Sequence, residues 1–478
     1  MAESQFEGSP VHRRPNILFI LSDDQGQWAL GCSGNDEILT PHLDALAERG
    51  ARLENFFCAS PVCSPARATL LTGAVPSGHG VHDFLVGHEA GEAGVDFLEG
   101  QPLFTATLAD NGYSLGFVGK WHLGASDRPR SGFRYWYALE GGSSDYHEAT
   151  IYRGSAKETP LAYLTDVFAD EAIAFMEASA RNPEPFFLSL NFTAPHKPWT
   201  GQHPERFERL YRNCSFDSCP QERAHPWLAT KNGAAIAGES DTRAALVGYF
   251  AAVTAMDEAV GRVLNRLREL GLAEDTLVVF SSDNGFNCGH HGIWGKGNGT
   301  LPLNMYDSSI KVPAIFAFPG RIPEGQVLSD LVSGYDMAAT LLELVGIDSY
   351  EFEQGPGRSF ARLLADGWSE AERRPVVVYD EYGPVRMIRT HDWKYVHRYP
   401  LGPHELYDLH SDPDERRNEI GNPSNAGRIA DLRRQLHSWF SLHATALRDG
   451  CCLPVSGGGQ AEMVREDPLN AFIPREIS

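Results

Sequence analysis

Apolar residues arrive in short unbroken runs, and each run ends in polar residues able to do chemistry. Ile17-Leu18-Phe19-Ile20-Leu21 leads into Ser22-Asp23-Asp24, and Tyr113 to Val118 leads into Gly119-Lys120-Trp121-His122-Leu123-Gly124. Pro185 to Asn191 runs on to Ala194-Pro195-His196-Lys197-Pro198, and Asp275 to Ser282 delivers Asp283-Asn284-Gly285. Runs of this length without alternation read as strands buried on both faces. Between them the periodicity predicts helices over Pro41–Arg49 (Thr40 as N-cap, Gly50 as stop), Leu103–Asp110, Tyr163–Ala178 and Ala244–Leu270. A further helix begins just after Cys63 and stops at Gly73. Strands alternating with helices predict an α/β fold, a large mostly parallel sheet sandwiched by helices. Ligands of such sheets bind beyond the carboxyl ends of the strands. Strand ends bearing Asp-Asp, Lys-x-His, His and Asp-Asn therefore predict one shared polar site.

After about Glu370 the texture changes to short β-rich pieces, Pro375–Tyr379, Val385–Thr390, Trp393–Arg398 and Glu405–Asp408, followed by a helix over about Asn425–His443. The predicted organisation is a catalytic domain over 1–370, a smaller antiparallel-sheet-plus-helix subdomain over 371–453, and an extended or partly disordered tail over 454–478. The formal net charge of −22 argues against a general nucleic-acid or anionic-membrane binder, which needs surplus Lys and Arg. Met1 to Arg14 has no apolar signal-peptide core, so the default compartment is the cytoplasm, with a periplasmic or secreted location as the alternative. The eight cysteines are scattered and suggest no disulfide framework.

Asp23, Asp24, Asp283 and Asn284 offer only oxygen donors, the preference of a hard cation such as calcium or magnesium. Cys63 sits at a helix N-terminus, where orphan N–H groups favour an anion or a nucleophile gaining negative charge. Arg67, four residues on, shares its helical face. Taken singly, each feature has a plainer reading: a buried thiol, a helix-capping Asp pair, a tight turn at Asp283-Asn284-Gly285, a solvated lysine or arginine, a loop histidine.

Taken together, Asp23-Asp24, Cys63-Ser64-Pro65-Ala66-Arg67 through Leu71-Thr72-Gly73, Gly119 to Gly124, Ala194 to Pro198, Asp283-Asn284-Gly285 and Gly295-Lys296-Gly297 resemble the type I, formylglycine-dependent sulfatase family of the alkaline-phosphatase-like superfamily. They occur in that family's order across roughly Pro15 to Val312. The resemblance implies that Cys63 is converted to formylglycine by a maturation enzyme, and that its hydrated aldehyde attacks the sulfur of a sulfate monoester on a sugar or an aryl or alkyl alcohol. It implies a divalent metal, Ca2+ with Mg2+ or Mn2+ as alternatives, held by Asp23, Asp24, Asp283 and Asn284. Arg67 would orient the diol, Lys120 and Lys296 contact the sulfate, His122 serve as base in elimination and His196 as acid toward the leaving group. His290 and His291, between the metal residues and Lys296, are candidates for substrate contact. No membrane or nucleic acid is implied, and self-association stays open.

Three carboxylates against a divalent cation, Arg67, Lys120 and Lys296 leave a modest positive excess, suited to a singly charged sulfate monoester. Phosphonate monoester and phosphodiester hydrolases share the Cys-x-Pro-x-Arg motif, but that branch tends to carry histidine where this chain has Asn284. They form the alternative reading, with a non-catalytic binder of sulfated glycans as a third. The chain departs from the family at Asn298 to Asp307, residues expected to reshape the leaving-group subsite. Gly141 to His147 and Trp199 to Trp227 are expected to line it. His79, His82, His88, His147, His225 and His397 are expected to be ordinary loop or surface residues.

Overall fold

Leu18 and Ile20 of the first strand enter one hydrophobic core while Ile17, Phe19 and Leu21 enter another. A strand that feeds cores on both faces needs apolar residues at every position, which is why the run does not alternate. The computed structural model describes residues 14–87, 90–91, 94–228, 230–231, 234–235, 241–353, 355–367, 377–379, 382–465 and 470–474.

In chain order the strands of the main sheet are β1 (Asn16–Ser22), β2 (Ala51–Phe57), β3 (Ser114–Lys120), β4 (Phe133–Leu139), β5 (Ile151–Arg153), β6 (Ala156–Glu158), β7 (Phe186–Asn191), β8 (Thr276–Ser282), β9 (Ala314–Ala317) and β10 (Gln326–Ser333). They lie side by side as β10-β2-β9-β8-β1-β7-β3-β4-β5-β6. The central stretch from β8 to β4 is parallel throughout. β9 runs antiparallel to both of its neighbours, and β5 and β6 close the far edge as a hairpin, so the sheet is mixed.

The principal helices are α1 (Pro41–Glu48), α2 (Cys63–Thr72), α3 (Phe104–Asp110), α4 (Leu164–Ser179), α5 (Thr242–Glu269), α6 (Met337–Leu344) and α7 (Ala426–His443), besides helices at Glu205–Tyr211 and Ala361–Asp366 and shorter turns. α1, α4 and α5 cover one face of the sheet, and α2, α3 and α6 the other. α1 is not capped by Thr40 as predicted. The Asp257 carboxylate on α5 accepts its His42 and Leu43 N–H groups instead, while the Thr40 hydroxyl accepts from Gly31 N–H and donates to Asp44. α5 is long and apolar enough to cross a membrane by length and composition, and 83% of its apolar window is buried inside the protein. It serves as the central helix of one layer.

The C-terminal sheet is a meander of β11 (Val377–Tyr379), β12 (Val385–Arg389), β13 (Trp393–Arg398) and β14 (Glu405–Asp408). Leu432, Leu436 and Phe440 of α7 pack on its Ile388, Tyr395 and Leu406. The predicted boundary at 370, and the start of the first predicted piece at Pro375, lie outside the described residues. The tail differs from expectation. Val455, Val464, Ala471 and Phe472 bury one another with Leu453, so its described part is packed rather than extended into solvent.

Candidate active site

The four central strands place their ends side by side. Ser22 of β1 pairs in register with Ser282 of β8, Leu21 with Asn191 of β7, and Asn191 with Gly119 of β3. The residues that follow are therefore forced together: Asp23 N–H donates to Ala194 O (3.0 Å), Asp283 N–H to Ser22 O (3.2 Å), and Asp24 N–H to Asp283 Oδ1 (3.2 Å). Gly119 has to be glycine, because a β-carbon there would lie 1.8 Å from Asn191 O. Asp24 (φ 63°) and His122 (φ 53°) both take the left-handed backbone that side-chain-bearing residues avoid, a concentration common at functional sites.

Cys63 opens α2 over this edge and is 2% exposed. Its sulfur lies 2.7 Å from Lys296 Nζ and 3.5 Å from Asp23 Oδ1. Lys296 Nζ also lies 2.5 Å from Asp24 Oδ1, and Lys120 Nζ 2.5 Å from Asp23 Oδ2. Arg67 grips Asp283 Oδ2 with Nε (2.9 Å) and Nη2 (2.8 Å), and its Nη1 donates to Lys120 O (2.8 Å). Three buried carboxylates thus face three buried cations.

The charges remain uneven. Burial, and repulsion from Asp283, push Asp23 up to about 7 although Lys120 opposes them. Burial would raise Asp283 too, but Arg67, Lys120 and Lys296 hold it well below the usual carboxylate range. Burial and Asp23 push the Cys63 thiol up to about 12 against the two lysines, so it stays protonated near neutrality. An unmodified thiol is a poor nucleophile here.

The oxygens of Asp23, Asp24 and Asp283 lie within 4.8 Å of one another. Asn284 Nδ2 donates to Asp24 Oδ1 (2.7 Å), while its buried Oδ1 has no hydrogen-bond partner among the described residues. A buried amide oxygen without a donor costs free energy unless a cation meets it. The donor set, all oxygen and mostly anionic, fits a hard divalent metal.

Both histidines are oriented by backbone carbonyls. His122 Nε2 faces Leu85 O at 3.1 Å; a carbonyl only accepts, so Nε2 carries the hydrogen and buried Nδ1, which has no partner, holds the lone pair. Burial, with Lys120, keeps this ring neutral. His196 Nδ1 donates to Lys197 O (2.7 Å), turning Nε2 toward Asp24 Oδ2 at 3.7 Å.

His290 and His291 are not brought into this cluster. His290 spends both ring nitrogens on backbone groups, Cys288 N–H and Ser218 O, and its ring packs on Trp28. His291 stacks on Tyr306 with centroids 3.8 Å apart. His79, His82 and His397, expected in loops or at the surface, are buried, and His88 lies outside the described residues. The departure at 298–307 turns inward: Asn304 Nδ2 donates to Lys296 O (3.0 Å) and Gly297 O (3.1 Å), which pins the backbone of Lys296.

Several supporting residues escaped the sequence reading. Asn191 Nδ2 donates to Lys120 O (3.3 Å), Tyr146 OH to His196 O (2.7 Å) and Tyr249 OH to Asp24 O (3.0 Å). Asn191 ends a strand beside the others and could have been suspected. Tyr249 is one apolar position of a long helix and carries no signal.

A mixed sheet whose central strand ends gather acids, cations and histidines under a helix-borne cysteine defines the alkaline-phosphatase-like class of hydrolases. Comparison with known proteins narrows this. The Sulfatase family profile matches residues 15–347, and the profile of N-sulphoglucosamine sulphohydrolase, C-terminal, matches 289–441. The chain belongs to the sulfatase family and is a sulfuric ester hydrolase. It is 31% identical to an ulvan-active sulfatase of Formosa agariphila over 86% of this chain and 78% of that protein. It is 26% identical to an N-acetylglucosamine-6-O-sulfatase of Bacteroides thetaiotaomicron, covering 89% and 86%. In fold it is similar to a solved structure in complex with its substrate D-glucosamine-2-N,6-O-disulfate, with a TM-score of 0.76 and 24% identity, covering 90% of this chain and 98% of the other.

Proposed function

We propose that this enzyme cleaves a sulfate monoester carried by a carbohydrate, with Cys63 matured to formylglycine and a calcium-class cation held by Asp23, Asp24, Asp283 and Asn284. The observation that carries the reading is Lys296, whose ammonium touches both the residue-63 side chain and the Asp24 carboxylate. A cation placed there neutralises a sulfate as it arrives between nucleophile and acids. The named activities of the ulvan and N-acetylglucosamine relatives support a sugar as the leaving group.

The cation supplies Lewis acidity toward the hydroxyl at position 63 and toward the sulfate. The chain's own residues do the rest. Lys120 and Lys296 offset charge that builds on the sulfate oxygens. Arg67 keeps Asp283 ionised and holds the Lys120 backbone in place. Nδ1 of His122 is the open lone pair that takes a proton from position 63 when sulfate is expelled. Nε2 of His196, beside Asp24, is the lone pair that must first take up a proton, giving an imidazolium that then passes it to the leaving oxygen. Burial pushes His196 down to about 3, and the negative charge of a bound sulfate ester acts in the opposite direction.

The test is a turnover screen with protein whose Cys63 peptide has the mass of the aldehyde. Sulfate release from 6-O-sulfated N-acetylglucosamine or sulfated polysaccharide fragments, lost in Cys63→Ala, is the expected result. Activity with an intact thiol would sink the formylglycine claim, and faster turnover of a phosphonate monoester than of any sulfate would overturn the substrate class.

A further inference from the structure

Beyond residue 441, where neither family profile extends, the chain returns to the back of the active site. Gln460 is completely buried and lies beside Phe84 to Val86. Its N–H donates to Phe84 O (2.8 Å), and its carbonyl accepts from Val86 N–H (3.1 Å). Its side chain uses both ends: Oε1 accepts from His82 N–H (2.8 Å), and Nε2 donates to Gly80 O and to Glu462 O (3.0 Å each). Gly459 N–H donates to Asp83 Oδ2 (3.0 Å), and Tyr382 OH to Asp83 Oδ1 (2.8 Å). Residues 80–86 form no helix or strand, so these bonds fix a segment that regular structure does not.

Leu85 lies in the middle of that segment. Its N–H donates to the hydroxyl of Ser64, the neighbour of Cys63 (3.1 Å), and its carbonyl accepts from His122 Nε2. The backbone of one residue thus joins the start of α2 to the His122 ring, and the tail grips the residues on either side of it.

We propose that Gln460 is a positioning residue for sulfate-ester cleavage: by fixing residues 80–86 it sets the Leu85 carbonyl that holds His122 in the Nε2–H tautomer and leaves buried Nδ1 as the ring's lone pair. The catalytic part of this rests on the reading of His122 as base. The side-chain amide is suited to the task, since it needs one acceptor and two donors at fixed places and carries no charge into a buried site. Gln460→Met keeps the bulk and loses those bonds; Gln460→Glu, protonated in this setting, keeps the acceptor and one donor.

The experiment uses full-length matured enzyme labelled with 15N-histidine, with His122 assigned by its disappearance in His122→Gln. The parent should show His122 as a single Nε2–H tautomer. In Gln460→Met the two tautomers should interconvert and kcat should fall on the order of tenfold, with KM unchanged, as for a displaced catalytic group. Gln460→Glu should recover most of kcat. If Gln460→Met does not fold, Gln460→Asn, with the same amide one methylene shorter, is read the same way. A variant that loses thermal stability while keeping one tautomer and the parental kcat overturns the proposal. If His122→Gln keeps kcat, the base reading fails, and the tautomer alone decides whether Gln460 positions the ring.

Discussion

Gly142 lies so close to His122 that a β-carbon on it would meet the ring's Cε1 and Nε2 at 2.2 Å. No rotamer change at residue 142 relieves such a clash, because the β-carbon position is set by the backbone. Gly142→Ala should push the imidazole off the Leu85 carbonyl. We expect kcat to fall by about two orders of magnitude, the scale of losing a positioned base, with KM little changed. Overpacking should cost about 1–3 kcal/mol in urea unfolding. Parental kcat in a folded Gly142→Ala protein would contradict the base assignment.

Chelation should abolish turnover, and calcium should restore it. Saturating cation should also raise the unfolding midpoint, by about 2.7 kcal/mol of stability at a hundredfold excess over Kd. Asn284→Leu keeps the branched shape of the side chain but removes the unpartnered Oδ1, together with the Nδ2 bonds to Asp24 Oδ1 and Gly285 O. It should raise the calcium concentration for half-maximal activity by about tenfold or more. An unchanged calcium titration would remove Asn284 from the ligand set.

Glu37 gives a pH signature away from the site. Burial favours its neutral form, but hydrogen bonds from Ser215 Oγ, Asp217 N–H, Ser218 N–H and Ser218 Oγ outweigh that and hold it down at about 2. The folded value lies below the unfolded reference of about 4.3, so the stabilisation is present above that reference and is lost as pH falls toward 2. Glu37→Gln should be less stable than the parent at pH 7, and the gap should narrow by pH 3. Parallel stability curves for the two proteins between those pH values would refute the coupling.

Lys394 of β13 is fully buried between two acids, 2.5 Å from both Asp307 Oδ1 and Glu415 Oε1. Asp307 belongs to the segment that follows Lys296, so this ion triad joins the C-terminal sheet to the loop beside the pocket. Lys394→Met removes the cation the two carboxylates share, leaving Asp307 paired with Arg389 Nη2 (3.2 Å) and taking from Glu415 the ammonium beside it. We expect a loss of about 3–5 kcal/mol, read by denaturant titration, as for a broken buried pair. Loss of under about 1 kcal/mol, the worth of a surface pair, would show the triad to be solvated.

Local pattern carried the reading as far as the chemistry was local. Asp23, Asp24, Asp283, Asn284, Lys120 and His196 could be found because each follows an unbroken apolar run, and parallel strands deliver their ends to one edge. Gln460 could not. It stands among glycines and polar residues in a stretch with isolated apolar positions, and its burial depends on Phe84 and Val86, far away in sequence. His290 was misleading for the converse reason: it is near the metal residues in sequence, but a turn carries its ring to Trp28 and Ser218. Thr40 looked like a cap, and only the tertiary packing of Asp257 shows what satisfies that helix.

The left-handed backbone at Asp24 and His122 has a practical corollary for redesign. At each position glycine would relieve strain of about 1–3 kcal/mol. A search for stabilising substitutions that scored foldedness alone would therefore be drawn to these two positions, and would exchange a carboxylate beside Lys296 and an imidazole beside Leu85 for a more relaxed loop. Thermal selection of this enzyme should be run with turnover as a simultaneous criterion, because two of its more accessible routes to stability pass through residues of the candidate active site.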